Sequence, residues 1–116
     1  NKSHKTMKDE LEYFENNKKI TQKAISNLKV IKANDGYSYL ELSPITGRKH
    51  QSRRQLFNIG SPIVGDDKYF LNNRKRIKIK NLLLHAYKIK FMINNVQYNF
   101  KAKYNTIFKD FLMKNI

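Results

Sequence analysis

The residue alternation between Leu82 and Tyr104 constrains the fold most, because period two over two runs joined by Asn94-Asn95 fits only a β-hairpin. Asparagine enters the left-handed region easily, so Asn94-Asn95 predicts a two-residue turn. That register sets Phe91 opposite Tyr98, Ile89 opposite Phe100 and Tyr87 opposite Ala102, all on one face, which is the expected core side. The other face carries Lys88 opposite Lys101, with Lys90 and Lys103 nearby. Like charges directly opposed across a ladder cost stability. A solvated lysine face and a face covered by an anion both stay open.

A second hairpin is expected upstream. Leu28-Lys29-Val30-Ile31 runs into Asn34-Asp35-Gly36 and then Tyr37-Ser38-Tyr39-Leu40-Glu41-Leu42, with Asp-Gly tolerating positive φ at the turn and Pro44 ending the second strand. From Thr46 a helix is expected to about Ile59, capped by Thr46 or Gly47 and stopped by Gly60. Its N-terminal half is almost wholly polar, so it must line something. A last helix, capped by Asn105 or Thr106, gathers Ile107, Phe108, Phe111 and Leu112 into a core stripe. Together these elements predict an α/β chain of the α+β kind, an antiparallel β-sheet with flanking helices.

Charge divides the chain unevenly. Of its 116 residues, 24 are Lys or Arg and 9 are Asp or Glu, a formal +15. Residues 1–20 carry five lysines and four acids, whereas residues 21–116 carry 19 basic and 5 acidic side chains. Met7, Leu11 and Phe14 recur at helical spacing, so residues 1–20 are read as a helical extension or linker and 21–116 as the domain proper. No run reaches the roughly 18 apolar residues of a membrane span, so no membrane partner is expected. The absence of cysteine rules out disulfides and a cysteine nucleophile, and fits a cytoplasmic setting. The basic excess points to nucleic acid. The run Arg74-Lys75-Arg76-Ile77-Lys78-Ile79-Lys80 adds a strand-like stripe, with Arg74, Arg76, Lys78 and Lys80 as expected phosphate contacts.

One stretch is far more specific. Leu42-Ser43-Pro44-Ile45-Thr46-Gly47-Arg48-Lys49-His50-Gln51-Ser52-Arg53 resembles the L-x-P-x-T-G-R-x-H-Q-x-R signature of the RluA-type pseudouridine synthase family. The resemblance continues through Gly60-Ser61-Pro62-Ile63-Val64-Gly65-Asp66-Asp67-Lys68-Tyr69, similar to G-x-P-I-x-G-D-x-x-Y, and resumes at Leu84-His85-Ala86. It covers about residues 21–116 and implies the C-terminal half of a pseudouridine synthase catalytic domain.

The resemblance implies isomerisation of uridine to pseudouridine in structured RNA, with large-subunit ribosomal RNA favoured by family frequency, and with no cofactor or metal. It also implies that Arg53 is the basic partner of an essential Asp, and that Arg48, Lys49, His50, Gln51 and Arg54 contact RNA. The family's R-L-D-x-x-T segment does not occur in these residues. The expectation is therefore a truncated domain, inactive alone, able to form a homodimer through the surface its missing half would cover. Lys49, Ser52, Arg54 and Gln55 also depart from the family's usual residues. The competing expectation is a non-catalytic RNA- or ribosome-binding module derived from that family. His50 as a general base lacks triad-like partners; His85 reads as a core histidine; a zinc site from His4, His50 and His85 lacks short ligand spacing.

Overall fold

The computed structural model describes residues 3–71 and 81–116. Three strands, β1 (His4–Glu15), β2 (Lys18–Ala33) and β3 (Ser38–Pro44), form one antiparallel sheet in that order. Helix α1 (Gln51–Asn58) follows, then a separate two-stranded sheet of β4 (Lys88–Ile93) and β5 (Val96–Lys101), and helix α2 (Thr106–Asn115). The architecture is α+β with antiparallel sheets and flanking helices.

Residues 1–20 depart from expectation. In place of a helix and linker, β1 turns at Asn16 and Asn17, both with positive φ, and pairs with β2 from His4↔Lys29 to Glu15↔Lys18. The reason lies in the period. Met7 and Leu11 are four apart, a spacing that fits a helix and also one face of a strand. The inward positions are Met7, Asp9, Leu11 and Tyr13; Phe14, which completed the helical reading, is 80% exposed. The strand pair crosses residue 20 without a break, so the boundary placed there is not a structural one.

Met7, Leu28 and Leu56 form the core cluster, packed round by Val30, Leu40, Leu42 and Ile63, with Leu11 and Ala24 also buried. Helix α1 thus lies across the inner face of β1 and β2. It starts later than Thr46, because His50 takes the N-cap position in left-handed backbone (φ 54°) with no side-chain cap bond. Its end is as expected. Gly60 at φ 83° lets its N–H reach Phe57 O and the Ser61 N–H reach Leu56 O, closing the Schellman pattern.

The β2–β3 turn forms by a different device than positive φ at Asp-Gly. Asn34 Oδ1 accepts from the N–H groups of Gly36 and Tyr37, and none of residues 34–36 has positive φ. In the β4–β5 hairpin the expected register is present, with Ile89↔Phe100, Phe91↔Tyr98 and Lys88↔Lys101, and Asn94 and Asn95 both have positive φ. Its apolar face is not the core side. Ile89 is 57% and Phe100 55% exposed. Among the described residues, α2 reaches this face only at its Tyr87 end, through Tyr104 stacked between Tyr87 and Phe108, and otherwise packs on β3 and the turn before it: Phe111 meets Tyr37 edge-on at 5.1 Å and Phe108 meets Tyr39 at 6.2 Å.

Phe108, Phe111 and Leu112 are therefore half-buried and Ile107 is exposed, a weaker burial than a core stripe implies. His85, also half-buried, joins Tyr87, Tyr104 and Phe108 in an aromatic cluster, and its Nε2 lies 3.0 Å from Ala102 O. Asn105 caps α2 by accepting from the Phe108 N–H at 2.8 Å. Asn105→Ala is expected to cost about 1 kcal/mol, read as a lower denaturant midpoint at unchanged slope.

Candidate functional site

The site begins with Gln51, the first residue of α1. Its Nε2 donates to Ile25 O and Ser26 Oγ on β2, and its Oε1 accepts from Thr46 Oγ1 and the Arg48 N–H. Thr46 Oγ1 in turn accepts from the Ile25 N–H. A fully engaged, buried amide thereby ties the loop at residues 46–50 to the centre of the sheet. Gln51 was expected to contact RNA; with its polar atoms spent inside the protein, it positions the loop instead.

The loop then bends at His50, whose left-handed backbone is uncommon for a residue with a side chain. The bend brings His50 Nδ1 to 3.0 Å from the Tyr69 hydroxyl, a hydrogen bond whose direction follows the imidazole tautomer. Burial, then the positive charges of Arg53, Lys68 and Lys49, push the His50 pKa below its ordinary value, so the ring is neutral at pH 7.

One turn into α1, Arg53 presents a bidentate fork. Its Nε and Nη2 each donate at 2.8 Å to the two carboxylate oxygens of Asp66, whose side chain is fully buried. Asp66 Oδ1 also accepts from the N–H groups of Lys68 and Tyr69. Burial raises the Asp66 pKa, but the Arg53 fork and the two N–H donors outweigh it and hold the carboxyl at about 2. The same pairing raises the pKa of Arg53. The guanidinium also lies 5.1 Å from the Tyr69 ring centroid. Arg53 was expected to await an aspartate from outside these residues; one edge of its fork is filled from within.

Arg48, His50 and Arg53 line one shallow concavity of about 290 Å³, together with Thr46, Gly47 and Leu84. Arg48 Nε donates to Lys23 O at 2.9 Å, which anchors the side chain at the rim. Lys49 is exposed. Arg54 is turned away from the cleft: its guanidinium lies over the Tyr13 ring at 4.8 Å and Nη1 donates to Glu12 O. It packs on β1, and the Tyr13 hydroxyl clamps the same junction by donating to Lys49 O. Arg74, Arg76, Lys78 and Lys80 lie outside the described residues. Among the described residues, no three His, Asp or Glu side chains gather as a metal site would require.

Asp66 and Tyr69 were missed as site residues. The available signal was the pattern Gly65-Asp66-x-x-Tyr69, since an Asp after a left-handed glycine commonly accepts the N–H groups two and three residues on. What the arrangement provides is an oriented cation and an imidazole on one concave surface, both braced by the Tyr69 ring and held by buried polar bonds.

Residues 1–58 match the family model described as RNA pseudouridylate synthase, half of the chain. The matched region includes β1, which the sequence reading had left unmatched. The chain is 53% identical over 51 residues to mitochondrial RNA pseudouridine synthase 4 of Arabidopsis thaliana, covering 42% of this chain and 11% of that protein. It is 47% identical over 55 residues to tRNA pseudouridine synthase C of Haemophilus ducreyi (43% and 23%). With ribosomal large subunit pseudouridine synthase C of Rickettsia conorii the identity is 43% over 65 residues (54% and 21%). These alignments thus span between about a tenth and a quarter of the relatives' lengths. No solved structure gives a significant match. The T-G-R-x-H-Q-x-R segment built into this concavity and the match over residues 1–58 together make the chain a member of the RNA pseudouridylate synthase family.

Proposed function

We propose that the chain is part of an enzyme that isomerises uridine to pseudouridine in structured RNA, ribosomal RNA foremost, and that it supplies the cationic wall of the active site. The observation that carries this reading is the cleft lined jointly by Arg48, His50 and Arg53, with Arg53 locked in place by Asp66. A guanidinium whose rotamer is already fixed loses little freedom when it meets substrate or a second carboxylate. Asp66 holds the Nε–Nη2 edge, so the essential Asp, contributed by a segment beyond these residues, meets Arg53 at Nη1. Asp66 itself is a poor nucleophile, since its carboxylate is buried and committed to four hydrogen bonds.

Moving the glycosidic bond from N1 to C5 of uracil releases the hydrogen at C5, so tritium release from 5-labelled uridine RNA measures the reaction. The 116-residue chain alone is expected to release none. Adding a separately expressed segment bearing the R-L-D-x-x-T motif is expected to restore release, and Arg53→Ala to abolish that recovery. Turnover by the chain alone would overturn the assignment of the nucleophile to another segment. RNA binding without recovery in any combination would favour the non-catalytic binding module.

A further inference from the structure

The site above uses none of the lysines on the β4–β5 hairpin. Between residues 81 and 105 the chain has four lysines, Lys88, Lys90, Lys101 and Lys103, and no acidic residue. The register sets Lys88 directly opposite Lys101 and Lys90 opposite Asn99, and strand alternation puts all of these on one face, with Lys103 next in line. Every one of them is exposed. Among the described residues, no carboxylate forms an ion pair with any of the four.

We infer that this face of the β4–β5 hairpin is a phosphate-tracking surface for RNA, outside the cleft that holds Arg48, His50 and Arg53. Directly opposed lysines repel, and a hairpin gains nothing from that in isolation. A polyanion reverses the sign of the interaction, because each phosphate sits between ammonium groups and releases condensed counterions. Alternate residues of a strand are about 6.7 Å apart, so Lys90, Lys88 and, across the ladder from it, Lys101 form a short patch of charge that an RNA backbone can follow. Lys88 is further steadied by the Tyr87 ring, 5.3 Å from its Nζ to the centroid. Lysines that contact phosphates confer affinity and orientation and carry no sequence information themselves.

This inference rests on the reading that the protein acts on RNA, and the test separates the two. Binding of the whole chain to a fluorescent uridine 20-mer and to an RNA stem-loop is followed by anisotropy across a salt series. Lys88→Gln with Lys101→Gln is expected to weaken both by at least tenfold at low salt. It should also flatten the plot of log affinity against log salt by about 1.4–1.8, at 0.7–0.9 for each lost contact. The control pair Lys18→Gln with Lys32→Gln, exposed on β2, should leave the slope nearly unchanged.

Removing opposed charges should keep or raise the thermal midpoint. If it falls, Lys90→Gln with Lys103→Gln provides the same readout. An unchanged slope in the hairpin variants, or an equal loss in the control pair, overturns the inference and leaves the cleft reading standing. Failure of the unaltered chain to bind RNA at low salt removes both.

Discussion

Asp66→Ala should destabilise the protein by about 3–5 kcal/mol, the usual cost of stranding one partner of a buried ion pair. Three effects combine. The Arg53 guanidinium, with its side chain only 17% exposed, loses both 2.8 Å bonds and keeps its charge, with only the exposed Asp67 carboxylate left within reach at 3.8 Å. The N–H groups of Lys68 and Tyr69 lose their acceptor. The loop that brings Tyr69 to His50 and Arg53 loses its clasp. Asp66→Asn keeps an acceptor for the two N–H groups but not the paired charges, so it should fall between wild type and alanine.

The same pair sets a pH dependence. The folded carboxyl sits at about 2, below the ordinary 3.8, so protons bind the unfolded chain more readily. Stability from this group is fully present above about pH 4 and is lost as pH falls toward 2, amounting to about 2 kcal/mol for a shift of this size. Urea midpoints at pH 6 and pH 2.5 check it. The gap between wild type and Asp66→Ala should narrow at the acid end. A gap of constant width would mean that Asp66 acts through packing alone.

Gly65→Ala is the second large effect, about 2–5 kcal/mol. The φ of 85° costs a side chain about 1–2 kcal/mol by itself. The added Cβ would also lie 1.9 Å from Asn81 O and 2.8 Å from Asn81 C, and neither backbone atom can withdraw without moving the segment that Leu83 N–H anchors to Val64 O. Forced displacement of packed backbone adds a further 1–3 kcal/mol. Gly60→Ala isolates the first contribution, since Gly60 has nearly the same φ, 83°, but no atom within 4 Å of the new Cβ. Thermal midpoints should therefore fall much further for Gly65→Ala than for Gly60→Ala. Equal falls would show that the close approach of residues 65 and 81 relaxes freely.

The β4–β5 register, the Asn94-Asn95 turn, the Gly60 stop and the Asn105 cap are legible in the residues, because each depends on neighbours within a few positions. So is the residue signature that lines the cleft. The β1 strand was not, since Met7 and Leu11 fit two periods and only pairing with Ser26 and Gln22 selects one. Nor was the division of labour along α1. The polar residues Gln51, Arg53, Arg54 and Gln55 look alike in sequence, yet the sheet beneath them engages three side chains and leaves the charge of Arg53 at the cleft. Gln51 goes to Ser26, Arg54 to Tyr13 and Gln55 to Ala24 and Asp9, while Arg53 turns to Asp66.

The residues alone determined the local elements, the excess of positive charge and the family signature, since turn chemistry, capping and formal charge are properties of short segments. Only the tertiary structure decided which carboxylate Arg53 holds, which polar side chains are spent inside, and that the hairpin's apolar face stays exposed. Those outcomes depend on groups far apart in the chain meeting in one place, where burial and competing partners set which contacts form.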